Sequence, residues 1–354
     1  MVWKLSRFRA GDGVEVRSRE EILATLDASG CVDGVPFMPE MLALCGKRFR
    51  VRAVAHKTCD TAKQTWTGRR LDTTVHLEGA YCDGSAHGGC EAACTLFWKD
   101  VWLRPADGRG DVTVYRQAPG AACTEADLHA HTRRATLPGD PPRYACQATE
   151  LFDYTAPLPV WDLRQYWYDV ASGNHSALHV ARVLFLSWVR WLFARVPVGY
   201  RAFQWLGNRL HLALTGRTMP ALTQHLREGE RTPTGRLDLE AGEYVRIKSQ
   251  REIEPTLDPR GKNRGLTFDP QEMAPYCGSV VRVRKAVHRI IDEPSGRMIE
   301  MKHPCIMLDG VVCRSEYAPR RLNCPRAITS YWREIWLERV DPPAVAAARE
   351  PSDR

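Results

Sequence analysis

The sequence predicts an α+β fold: two small, homologous, zinc-stabilised β-barrel or β-roll modules flanking a mainly helical central domain. Two distant stretches read alike, GDGVEVRSREEILATLD from Gly11 and GEYVRIKSQREIEPTLD from Gly242. Each opens with the apolar and polar alternation of a half-buried strand. Between them, from about Trp161 to about Arg227, the texture turns helical.

Internal repeats change how every later motif is parsed. Val14 aligns with Val245, Ser18 with Ser249, Thr25-Leu26-Asp27 with Thr256-Leu257-Asp258, and Phe37 with Phe268. Met41 matches Met273 after one inserted residue, and Trp98 and Trp102 match Trp332 and Trp336. The expected domains are residues 1–104 for copy one, 105–240 for the centre and 241–340 for copy two. A Pro-, Ala- and charge-rich tail, 341–354, has the composition of disordered chain.

Within each copy the opening strand leads into a helical turn, EEILATLD or REIEPTLD, and then a loop with Gly and Pro. FRVRAVAH or VRVRKAVH reads as a second strand, and LEGAYC and LDGVVC as hairpin strands. The opening Gly-Asp-Gly-Val-Glu-Val and Gly-Glu-Tyr-Val-Arg-Ile resemble the first strand of KOW-type and other SH3-like barrels. That resemblance implies a barrel that binds nucleic acid or protein.

The N-terminal residues lack an apolar run and a small-residue cleavage site, so the expectation is a cytoplasmic chain whose twelve cysteines are reduced. Cys45 matches Cys277, His56 matches His288, Cys82 matches Cys313 and Cys90 matches Cys324. Three thiolates and one imidazole make a closed tetrahedral zinc set, so two structural Zn2+ ions are expected. Packing alone is the competing explanation for the shared residues. In copy one, Cys59, Cys94 and His87 compete as ligands. The loop CDGSAHGGC has no counterpart in CRSEYAPRRLNC, so chemistry confined to one copy belongs to the first.

The formal charge is +8 and the pI about 8.9, which suits an anionic partner. Candidates are nucleic acid, a carrier protein, or a phosphorylated lipid or metabolite, met by Arg50, Arg52, Arg282 and Arg284 on the second strands. The apolar stretch 178–200 is interrupted by Arg182, Arg190 and Arg195 and closed by Pro197, too charged for a transmembrane span. A core helix is preferred there over peripheral membrane contact through Trp188 and Trp191. Asn174 or Ser176 supplies the N-cap of that helix.

The expected function is a zinc-binding bacterial scaffold or binding protein for an anionic partner. The alternative is a biosynthetic enzyme with its site between Cys146 and Asn174, next to copy one. There Cys146 would be the nucleophile, with Glu150, Asp162 and Arg164 as acid–base and anchoring groups. No P-loop, dinucleotide fingerprint, HExxH or GxSxG motif occurs in convincing context.

Overall fold

The structure is a computed structural model that describes residues 3–108, 123–195, 209, 212–214, 221–318 and 320–342. The expected tail from residue 343 and the part of the apolar stretch from 196 to 200 lie outside the described residues. The fold mixes helix and sheet, as an α+β class requires, in two compact units. The first comprises Met1–Ser187, Arg289–Glu300 and Arg314–Ala327, and the second comprises Trp188–His288, Met301–Cys313 and Ile328–Arg354. The central stretch from Cys123 to Ser187 is thus counted with the N-terminal module.

In the first unit, five antiparallel strands lie in the order Trp98–Lys99, Thr74–Leu77, Arg48–Val54, Gly13–Val16, Leu103–Pro105. The sheet is open, which corrects the expected closed barrel: Trp98–Lys99 and Leu103–Pro105 are edges that do not pair with each other. These edge strands are only two and three residues long, short of what a closing ladder needs. Alternation in the first strand buries Val14 and Val16 completely. Ser18 and Glu21 then form a reciprocal capping box that starts the helix Arg19–Leu23 and points Ile22 into the core. Trp102 is fully buried, donates Nε1–H to Thr25 Oγ1 at 3.2 Å, and meets the Phe37 ring edge-on at 5.1 Å. A register shift between Val51 and Ala53 bends the second strand.

Side chains from the central stretch are hydrogen-bonded to the module, Gln147 and Asn174 among them. Gln147 donates Nε2–H to Pro36 O and Phe97 O, each at 2.9 Å, and accepts from Phe97 N–H at 2.8 Å. Asn174 accepts from Val54 N–H at 2.8 Å and donates to Val54 O at 2.9 Å. It therefore serves the sheet, while Ser176 Oγ accepts from His179 N–H at 3.2 Å at the start of the helix Ala177–Arg195.

In the second unit, Tyr244–Ile247 pairs with Val280–Asp292 on one side and Leu337–Val340 on the other. Ser249 and Glu252 cap Gln250–Ile253 reciprocally. Trp336 Nε1–H donates to Thr256 Oγ1 at 2.9 Å, and the Phe268 ring meets Trp336 at 5.6 Å. Val245, Ile247, Ile253, Phe268, Trp332 and Trp336 form its core.

The helix Ala177–Arg195 is buried along one side, with Val180 and Val183 in a hydrophobic cluster with Tyr166 and Leu322. Val180, Val183, Leu186 and Val189 are buried, whereas Trp188 and Trp191 are about half exposed, at 55% and 51%. Among the described residues no helix is long and apolar enough to cross a membrane.

Candidate metal centre

The loop after the strand Thr74–Leu77 is built by its glycines. Cys82 N–H donates to Cys94 O at 2.9 Å, closing the loop at its neck. Gly84 has φ +74°, and a Cβ there would stand 1.9 Å from Cys90 O. Gly88 has φ +77°, and its Cβ would stand 2.5 Å from the Tyr144 ring. Only glycine permits that close approach in the left-handed region. His87 N–H and Gly89 N–H both donate to Gly84 O, at 3.2 and 2.9 Å, so the chain folds back and returns His87 to Cys82.

Cys82 Sγ lies 3.3 Å from His87 Nε2 and 3.3 Å from Glu40 Oε1, and His87 Nδ1 lies 3.8 Å from that oxygen. Glu40 comes from the short 3-10 helix Pro39–Leu44. Its side chain and that of His87 are each only 2% exposed. Glu40 Oε2 and His87 Nδ1 are buried without a hydrogen-bond partner, a costly state for polar atoms. One donor atom from each of the three residues lies within 4.8 Å of the other two. Tetrahedral zinc with bonds of about 2.3 Å to sulfur and about 2.0 Å to nitrogen or oxygen sets sulfur–nitrogen and sulfur–oxygen separations of about 3.5 Å. The two 3.3 Å separations from Cys82 Sγ match that geometry, whereas His87 faces Cys82 with Nε2 and Glu40 with Nδ1, so the imidazole must turn to give one nitrogen to a shared ion.

Burial, then the Glu40 charge, raises the Cys82 thiol far above its ordinary range. Burial also raises the Glu40 carboxyl and lowers the His87 imidazole. All three groups are thereby pushed toward their neutral forms.

The three residues line a cavity of about 40 Å³ shared with Cys90, Cys94, Cys146 and Arg326. Burial raises Cys146 to about 11 and pushes the Cys94 thiol up as well. Arg326 donates to Thr61 Oγ1 at 2.6 Å and to Glu293 Oε1 at 3.4 Å. Burial opposes its charge, but Glu293 outweighs that and holds the guanidinium protonated.

Of the copy-one ligands expected from sequence, Cys82 joins the three-residue group, and Cys90 lines the cavity and accepts from Ile291 N–H at 3.4 Å. Cys45 is half-buried at the end of the helix Pro39–Leu44, with Sγ 4.0 Å from Met41 O. His56 is fully buried elsewhere, with Nε2 3.2 Å from Asp169 Oδ1 and Lys57 Nζ 2.8 Å from Asp169 Oδ2. Of the rivals, His87 is in the group, Cys94 lines the cavity, and Cys59 hydrogen-bonds Cys324.

In copy two, Cys277 is half-buried and raised to about 12, mainly by burial. His288 is exposed on the strand Val280–Asp292, and Cys313 N–H donates to Ile328 O at 2.7 Å. Among the described residues, Cys277, His288, Cys313 and Cys324 do not form a group with converging donor atoms. Of the expected catalytic residues, Cys146 lines the cavity, and Glu150 accepts from Arg134. Asp162 and Arg164 pair with each other at 2.7 Å, away from both.

No protein-family model matches the chain, and no curated protein or solved structure matches it at a significant level.

Proposed function

We propose that the chain is a zinc-dependent hydrolytic enzyme whose single metal centre, held by Glu40, Cys82 and His87, faces a small enclosed cavity. The observation that carries this is the convergence of three chemically different donors, two with orphaned buried atoms, on one cavity wall. Thiolate, imidazole and carboxylate together favour zinc. Three protein ligands with an open fourth position are the arrangement of catalytic rather than structural zinc. Zinc held there would supply Lewis-acid polarisation of a carbonyl and a water of lowered pKa. Arg326, although paired with Glu293, would offer guanidinium N–H donors to a developing oxyanion, and Gln147 holds the Cys146 segment against the module.

We also infer that the two β-modules arose by duplication and that the second has kept the frame without the centre. Matching caps at Ser18 and Ser249 and matching Trp–Thr bonds support that reading.

Cobalt substitution tests the assignment. One Co2+ per chain is expected, with a sulfur-to-metal charge-transfer band that disappears in Cys82→Ser. Azide should shift the visible bands, because the fourth position exchanges. Bands indifferent to azide would mean that Cys94 or Cys146 closes the site and that the zinc is structural.

A further inference from the structure

A second, larger cavity in the same unit, about 420 Å³, shares Met38 and Cys146 with the small one. Ligand sites for small molecules span roughly 300–1,000 Å³, whereas the small cavity has room for little beyond a reacting group. We propose that the larger cavity is the binding site for a small amine-bearing substrate, whose reactive end reaches the metal-facing cavity past Cys146 and Met38. The substrate class deepens the proposed metal-centre function and rests on it only for the direction of entry.

The lining sets the class. Pro36, Phe37, Met38 and Leu128 give one apolar wall that suits a short hydrocarbon. Asp27, Glu150 and Asp153 face the cavity as carboxyls, against one guanidinium, Arg134, and the imidazole of His131. Arg134 is already committed: its Nε and Nη2 donate to Glu150 Oε1 at 3.0 and 2.5 Å. Asp153 hydrogen-bonds Glu150, and burial together with that neighbour raises its carboxyl. Asp27 Oδ1 accepts from Ser29 N–H at 2.8 Å and Cys31 N–H at 3.0 Å, which fixes the loop that carries it. Cys31 and Cys146 are held as neutral thiols, raised chiefly by burial to about 12 and about 11. Once Arg134 and Glu150 cancel, Asp27 leaves the lining negative, and Asp153, whose raised carboxyl shares a proton with Glu150, adds a second charge only when a cation draws that proton off. An ammonium group is the complement, and a carboxylate or phosphate is repelled.

Three four-carbon probes of matched length test the class by calorimetric titration of the full chain: putrescine, 1,4-butanediol and succinate. Putrescine is expected to bind at least tenfold more tightly than butanediol, and succinate not to bind. Asp153→Asn and Asp27→Asn should each weaken putrescine binding about fivefold to tenfold, whereas Arg164→Ala, outside both cavities, should not. Cys82→Ser separates the two proposals, since putrescine binding should persist in it whether or not the metal is lost. The proposal is overturned if none of the probes saturates, if butanediol or succinate matches putrescine, or if neither Asp variant changes the affinity.

Discussion

Cys82 Sγ–H donates to Glu40 Oε1 across 3.3 Å, so two acids, each raised by burial, share one buried contact. A divalent cation relieves both by displacing their protons, whereas His87, already shifted to neutral, releases none. Zinc affinity should therefore rise by about tenfold per pH unit near neutrality from the Cys82 proton alone. Competition against a chromophoric chelator at pH 6, 7 and 8 measures this. An affinity that does not change with pH would remove Cys82 from the ligand set.

Gly84→Ala should disrupt the centre from a position that donates no ligand. The new Cβ would meet Cys90 backbone at 1.9 Å in a left-handed conformation, so the loop must open. A cost of about 2–4 kcal/mol is expected, with metal content falling in proportion. Urea unfolding and metal analysis on the same sample would show both. Full zinc content in a Gly84→Ala protein would mean that the loop does not set the position of His87.

The strands at Gly13–Val16 and Tyr244–Ile247 were legible because alternation is a local signal. The open sheet was not, because closure depends on whether edges meet, and no single strand encodes that. In the candidate metal group, Cys82 was among the expected ligands and His87 among their rivals. Comparing the copies selects Cys and His that both retain, yet His87 sits in a loop only copy one has. Glu40 carries no such mark, since a carboxylate is an ordinary surface residue, although its counterpart Glu272 is also buried. His56 illustrates the opposite failure. It recurs as His288, but Asp169, far away in sequence, claims it.

Arg52 should matter to stability rather than to polyanion binding. Its Nη2 donates to Pro325 O at 2.7 Å, and burial lowers its affinity for a proton, so it is a structural cation. Arg52→Ala should cost about 1–3 kcal/mol by stranding buried carbonyl oxygens. Heparin retention should change little, whereas exposed Arg50→Ala on the same strand should lower it if the strand meets polyanions at all. Loss of retention in Arg52→Ala with unchanged unfolding would reverse the assignment.

Asp169→Asn should be among the most destabilising single changes in the first unit. Asp169 is fully buried between Lys57 and His56; burial opposes its charge, but these partners outweigh that and hold the carboxylate ionised. Removing the charge leaves Lys57 buried and unpaired, a cost of about 3–5 kcal/mol. The double variant Lys57→Met with Asp169→Asn should recover part of it. If the double variant is no more stable than the single one, the pair is not the source of the loss.

Stability should also fall on acidification, and two histidines say where. His56 and His76 are both shifted below their ordinary value, chiefly by burial, so the folded state keeps them neutral. For a histidine with a depressed folded value, the unfolded chain binds more protons as pH drops below about 6.5, and stability declines with it. The stabilisation is complete above that pH and is lost toward the folded value, at about 1.4 kcal/mol per pH unit for each histidine. Glu40 and Asp100, raised by burial, work in the opposite sense, and His87 and His175, lowered chiefly by burial, in the same one, so the slope of the whole chain is the sum of all six. A variant isolates the contribution. His76→Gln keeps the hydrogen bond to Leu96 O within reach but cannot titrate, so its unfolding free energy should lose one histidine's share of the slope between pH 6 and 5. Parallel curves for the two proteins would show that His76 is not the buried neutral group described here, because a group that titrates alike in both states contributes no slope.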